Sequence, residues 1–121
     1  MKRDMDLARA ILIALEDAPF DGGPLRLDIQ DCTPDVFSYH VMLLHQAGLI
    51  HAFDFSGDTF SNWQPAYLTW EGHEFLEAAK DDTRWNRAKT YLREQGSPMI
   101  FEILKTLLLS YVNQKVFGKP S

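Results

Sequence analysis

Lysine and arginine are absent from residues 34–47, and the whole chain of 121 residues holds one cysteine. A lone thiol, Cys32, has no partner for an internal disulfide, so a disulfide-built secreted scaffold is excluded and a reducing, cytoplasmic setting is expected. No uninterrupted apolar run opens the chain, because Asp4 and Asp6 precede Leu7, and no signal peptide is read there. Catalytic signatures are missing as well: there is no glycine-rich phosphate loop and no Gly-x-Ser-x-Gly elbow. His40, His45, His51 and His73 are scattered without the i, i+4 spacing that puts two ligands on one helix face, and Cys32 joins none of them in a ligand pattern. Glu71 and Glu74 beside His73 fit the preference of carboxylates for a helix start. The chain therefore reads as non-enzymatic, with no metal and no cofactor.

What is present is a bipolar charge. Residues 1–79 carry four Lys/Arg against thirteen Asp/Glu, a balance of −9, whereas residues 80–121 carry eight against four, a balance of +4. The acidic part repels phosphate. The basic part either pairs with acidic surface of the same or another subunit, the expected case, or attracts an anionic partner.

Hydrophobic spacing sets the elements. Leu7, Ile11 and Leu15, with Ala8 and Leu12, predict a helix over residues 4–16. Two prolines and two glycines in residues 18–24 end it. Leu25, Leu27 and Ile29 alternate with polar residues, which predicts a short strand, the first of a small sheet. Thr33 is a natural N-cap with Pro34 at the first helical position, and Gly48 suits a left-handed C-terminal residue, so a second helix runs over 34–47. Leu49 then folds back on Leu44 and the chain leaves as a strand over 49–55. Residues 56–65 read as a hairpin loop, 66–69 as the returning strand, and Thr69 caps a helix reaching residue 80.

That order, helix, strand, helix, strand, loop, strand, helix, is the order of a winged helix. The expected class is α+β, mostly helical: a winged-helix core over 1–80, and a C-terminal helical extension over 81–121 packed on it. In the extension a helix over 84–95 ends at Gly96, and Ser97 caps a last helix with Pro98 in its first turn. This last helix is apolar on nearly every face, through Ile100, Leu104, Leu107, Leu108 and Tyr111 and on to Val116 and Phe117. Such a helix needs cover on several sides, so it is expected to pack on its own domain and on a second copy, making a homodimer. A membrane segment is the rival, but Glu102 and Lys105 interrupt a run already shorter than the roughly 20 residues a bilayer requires.

The opening Met1-Lys-Arg-Asp-Met-Asp-Leu7, the block Leu68-Thr-Trp-Glu-Gly-His-Glu-Phe-Leu76 and the following Asp82-Thr-Arg-Trp-Asn86 resemble a domain-of-unknown-function family of bacteria and their phages, over almost the whole chain. The resemblance implies a small winged-helix-like protein often found in phage or prophage settings, and it carries no site residues with it. Residues 38–50 also look like the recognition-helix end of dimeric winged-helix repressors of the metal- and stress-sensing kind. The departure lies upstream, where 22–28 reads as loop and strand in place of a further helix.

A recognition helix reads bases with Arg, Lys, Asn or Gln and is held by cationic contacts to phosphate. Residues 34–47 offer none of those cations and present Asp35, and the hairpin loop carries Asp58 and no basic residue. If DNA is bound, either Lys2, Arg3 and Arg9 or the row Lys80, Arg84, Arg87 at helical spacing is left to bind it, and that row is the one basic stripe in the sequence. The loop instead carries Phe60 and Trp63, expected to be accessible and to anchor a protein partner, with stacking on single-stranded bases the weaker idea. Phe53, Phe55, Tyr67 and Trp70 are expected to be structural. The function expected is a binding module acting through protein contacts; the alternative is a DNA-binding transcriptional regulator of winged-helix type.

Overall fold

The computed structural model describes residues 1–116, with side chains to 114. Phe117, and the side chain of Val116, fall outside it. The chain is an α+β protein of five helices and one antiparallel hairpin in these residues, in the order α1 (Met5–Asp17), α2 (Pro34–Gln46), β1 (Ile50–Asp54), β2 (Trp63–Leu68), α3 (Trp70–Ala79), α4 (Asp82–Glu94) and α5 (Phe101–Val116). It divides into two units, Met1–Glu74 and Phe75–Ser121, each with its own core. No helix of the described residues is long and apolar enough to cross a membrane.

In the first unit, α1 starts where the Asp4 carboxylate accepts from the Asp6 and Leu7 amides. It buries Ala8, Ile11, Leu12 and Leu15, one stripe. Thr33 caps α2 through Val36 N, with Pro34 at the first position. The other end closes on Gly48 at φ 78°, where Gly48 N donates to His45 O and Leu49 N to Leu44 O at 3.0 Å each. This double bond pattern is the one that left-handed glycine permits, and it brings Leu49 and Leu44 together in the core. His40 ties the two helices: its Nε2 accepts from Asp4 N at 2.8 Å, and its Nδ1 donates to Val36 O at 2.8 Å.

Thr69 joins the hairpin to α3. Its hydroxyl donates to Gly48 O at 2.6 Å and accepts from Gly72 N at 3.1 Å, which caps the new helix. Gly72 has to be glycine, because a Cβ there would overlap the Leu49 carbonyl.

The expected strand over 25–29 does not form. Leu25 N donates to Pro65 O at 2.7 Å, and no ladder follows. Pro65 has no N–H to return the bond, which stops pairing at its first step. The apolar alternation still acts, since Leu25, Leu27 and Ile29 are half-buried and the residues between them exposed. A turn with Asp31 at φ 56° then leads into α2.

In the second unit, α4 buries Trp85, Ala88 and Leu92, and α5 buries Leu104, Leu108 and Tyr111. The Phe75 ring meets that of Phe101, centroids 4.7 Å apart. α5 begins later than its sequence suggests. Gly96 at φ 66° closes α4, with Gly96 N on Arg93 O and Ser97 N on Leu92 O, so Ser97 belongs to the C-terminal cap of α4 rather than to the start of α5. Pro98 and Ile100 accordingly precede α5.

Candidate functional site: an aromatic hairpin face

A two-stranded sheet has two faces, and α1 and α2 cover one. Ile50, Ala52, Ala66 and Leu68 point inward and are buried. The alternate residues of β1, His51 and Phe53, with Phe55 beyond it, point outward with Tyr67 of β2. They form a continuous stack. The Phe20 ring meets Tyr67 edge-on at 5.3 Å; Tyr67 lies on His51 at 5.1 Å with 22° between planes; His51 meets Phe53 at 5.2 Å; Phe53 lies on Phe55 at 6.0 Å. The cross-strand pair of Tyr67 and His51 stabilises the hairpin, and the neighbouring rings extend it along one face. Much of this surface is open to solvent: Phe20 is 73% exposed, Phe55 49% and Tyr67 36%.

The hairpin tip is a tight turn. Phe55 N donates to Asn62 O, Gly57 N to Phe60 O and Asn62 N to Ser56 Oγ. Phe60, 58% exposed, stands over Gly57 so closely that a Cβ on Gly57 would strike its ring. Asp54 accepts from Ser56, and these hydrogen bonds hold its carboxyl below the usual aspartate range.

Phe60 thus occupies the accessible position its sequence suggests. Trp63 stands elsewhere, on β2 rather than in the loop. Pairing passes from His51 with Tyr67 to Ala52 with Pro65, which leaves Ala66 as an extra residue. That bulge shifts the alternation by one and turns Trp63 to the inner side with Asp54. Its backbone N–H donates to Ser38 Oγ of α2 at 2.8 Å, and its ring lies 5.3 Å from that of His45. Trp63 is half-buried there, beside the His45 Nδ1, a buried atom without a hydrogen-bond partner.

The expectation that Phe53, Phe55, Tyr67 and Trp70 are core residues holds for none of them fully. Phe53 is half-buried, the others are exposed, and Trp70 at 78% donates only to Glu74 Oε1 at 2.8 Å. The signal was present in the alternation itself: Ile50 and Ala52 are one face, so His51, Phe53 and Phe55 have to be the other.

The basic row is engaged in its own unit. Arg84 donates through Nε to Ala78 O at 3.3 Å and through Nη2 to Glu77 O at 3.1 Å, capping the end of α3. The Arg87 guanidinium lies 4.0 Å above the Tyr111 ring. Lys80 is exposed at the end of α3. On α5, Leu104, Leu108 and Tyr111 are buried and Leu107 half-buried, while Ile103 and Leu109, with Ile100 just ahead of the helix, remain 37–40% exposed.

Reactive groups have structural duties. The buried Ser38 hydroxyl bonds Ser61 Oγ and accepts from Trp63 N. Burial, with the charge of Asp4 adding to it, pushes the Cys32 thiol up, away from the reactive thiolate. Among the described residues no group of three or more His, Cys, Asp or Glu is placed to hold a metal ion.

Fold and surface define an α+β protein whose hairpin presents stacked aromatics in an acidic unit. The chain belongs to the family described as hypothetical protein (DUF2513), whose model matches residues 2–98 and so ends before α5. It is 35% identical over 115 residues to an uncharacterized protein of Haemophilus influenzae, a match that covers 94% of this chain and 98% of the relative. No solved structure matches it.

Proposed function

We infer that the protein is a non-enzymatic binding module on a winged-helix plan, acting through protein contacts made by the outer face of its hairpin. One observation carries the reading: a continuous run of rings in mutual contact from Phe20 to Phe55, with Phe60 at the tip, is left open in an acidic unit. Exposed aromatics held in place by their neighbours lose little entropy on binding and are the usual anchors of an interface. The winged-helix plan rests on α1, α2 and the hairpin in order, with the Leu25–Pro65 bond standing where a first strand pairs and the turn at Asp31 in place of a second helix. The lone thiol fits a cytoplasmic location, and the phage or prophage setting comes from the family resemblance alone.

A homodimer through α5 is part of this reading. Its support is narrower than the all-round apolar character of the helix suggests, since Leu104, Leu108 and Tyr111 are covered within the chain and Ile103 and Leu109, with Ile100 ahead of the helix, are left to meet a second copy. DNA binding is the less favoured function, because Arg84 and Arg87 already serve carbonyls and a ring in their own unit.

Affinity capture from the native host, with wild-type protein and a Phe55→Ala, Phe60→Ala double variant as parallel baits, tests the reading. Proteins retained by the first and lost by the second are expected. Retention that vanishes on nuclease treatment, and is indifferent to the two phenylalanines, would contradict it.

A further inference from the structure

Along their seam α4 and α5 leave a trough of about 590 Å³, wholly inside the second unit. Its α4 wall carries Arg87, Tyr91 and Glu94, and its α5 wall Leu107 and Tyr111. Most of the lining is exposed, with Tyr91 48% open, so the trough suits a second surface better than a small molecule, which a pocket would enclose. An apolar and aromatic centre with charge at its border is the make-up of a protein interface, where Tyr and Arg are the favoured anchors.

Spacing along α4 makes this surface complementary to itself. Arg87, Tyr91 and Glu94 follow one another at steps of four and three residues, so they form one stripe with a cation at one end and a carboxylate at the other. When a second copy of α4 lies antiparallel across the stripe, with the two-fold axis between positions 90 and 91, position 87 of each copy stands opposite position 94 of the other. Two-fold symmetry makes that ion pair twice. Both charges are available for it. The Arg87 guanidinium lies 4.0 Å above the Tyr111 ring, which holds it by its face, and among the described residues neither its N–H groups nor the Glu94 carboxylate takes a hydrogen bond or an ion pair. A nucleic-acid backbone on the same stripe would meet Glu94 with the wrong sign.

We propose that the α4–α5 trough is the face through which two copies of the chain pair, α4 against α4 about a two-fold axis, with Arg87 of each copy on Glu94 of the other and Tyr91 and Leu107 at the centre. This rests on the homodimer reading and names its face. Ile103, one turn before Leu107 on the same side of α5, belongs to the contact; Leu109, two residues beyond Leu107 and so on the opposite flank, stays outside it.

Sedimentation of the full-length chain at micromolar concentration tests this, with wild type, Arg87→Glu, Glu94→Arg and the variant carrying both exchanges. The wild type is expected to be a dimer. Each single exchange sets like charges opposite each other twice and should raise the dimer dissociation constant about a hundredfold. Both exchanges together restore opposite signs and should restore the dimer. An equimolar mixture of the two single variants should likewise pair, one all-acidic stripe on one all-basic stripe. Arg87→Glu also takes the guanidinium off Tyr111, and pairing in the mixture shows that the variant chain is folded and that only its charge had kept it apart. A wild-type dimer indifferent to both single exchanges, or single variants that fail to pair when mixed and when combined, would overturn the proposal, as would dissociation by Leu109→Glu alone. If the exchanges leave the dimer intact while Ile103→Glu with Leu109→Glu dissociates it, this face falls and the dimer through α5 survives; a monomeric wild type removes both.

Discussion

The ring of Tyr67 lies flat on the imidazole of His51, centroids 5.1 Å apart and planes 22° from parallel. The two residues face each other across the hairpin, and every other ring of the outer face is reached from this pair: Phe20 from Tyr67, Phe53 and then Phe55 from His51. Sheet pairing and surface chemistry are thus one arrangement, in which the register of the strands builds the outer aromatic face.

Exposure separates the two aromatic residues of the hairpin tip. Phe60→Ala should change stability by no more than about 0.5 kcal/mol, as surface substitutions do. Trp63→Ala, which empties a half-buried place against His45, should cost about 2 kcal/mol, below the full cost of a wholly buried ring. Thermal denaturation of the two variants checks both, and equal losses would contradict the inward turn of Trp63.

His40 makes a polar link between the start of α1 and α2, through Asp4 N and Val36 O. His40→Ala leaves a cavity and two backbone groups short of a partner, an expected loss of about 3 kcal/mol. Chemical denaturation should show a lower midpoint with the slope unchanged.

Two glycines are expected to fail differently. Gly48→Ala meets open space and suffers only from φ 78°, a cost of about 1 kcal/mol. Gly72→Ala drives a methyl into the Leu49 carbonyl, which backbone movement alone can relieve, and should cost more than about 3 kcal/mol. Circular dichroism melts rank them.

How legible this was in the sequence depended on whether the signal was local. Thr33, Pro34, Gly48, Thr69 and Gly96 mark helix ends through bonds made within a few residues, and those ends lie close to where the spacing puts them. The alternation at 25–29 predicts a strand that does not form because what stops it, Pro65, lies about forty positions along the chain and not in the segment itself. The inward place of Trp63 depends on the bulge at Ala66, and no residue type announces a bulge. The open aromatic face followed from alternation, yet it was masked by the general tendency of large rings to be buried. Arg84 and Arg87 stood at the spacing of a basic stripe, and their use on the Ala78 and Glu77 carbonyls and the Tyr111 ring is tertiary information.

Self-association has its own check. The full-length chain should sediment as a dimer at micromolar concentration, and Ile103→Glu with Leu109→Glu, both at exposed positions, should shift it to monomer without lowering helicity. A monomeric wild-type chain would remove α5 from the interface.

Binding to random duplex DNA at physiological salt should be weaker than the roughly 10⁻⁴–10⁻⁶ M usual for non-specific binders. Sub-micromolar, salt-sensitive binding in a gel-shift or anisotropy assay would show that a phosphate-binding surface exists away from the engaged arginines.

The central claim, that the outer hairpin face meets a protein, is tested most directly by a photo-crosslinking amino acid placed at position 55 in the native host, with the same probe at the exposed position 93 of α4 as reference. Discrete protein adducts are expected from position 55, reduced when Tyr67 or His51 is replaced by alanine and the stack is broken. Adducts to nucleic acid from position 55, or protein adducts no more frequent there than from position 93, would contradict it.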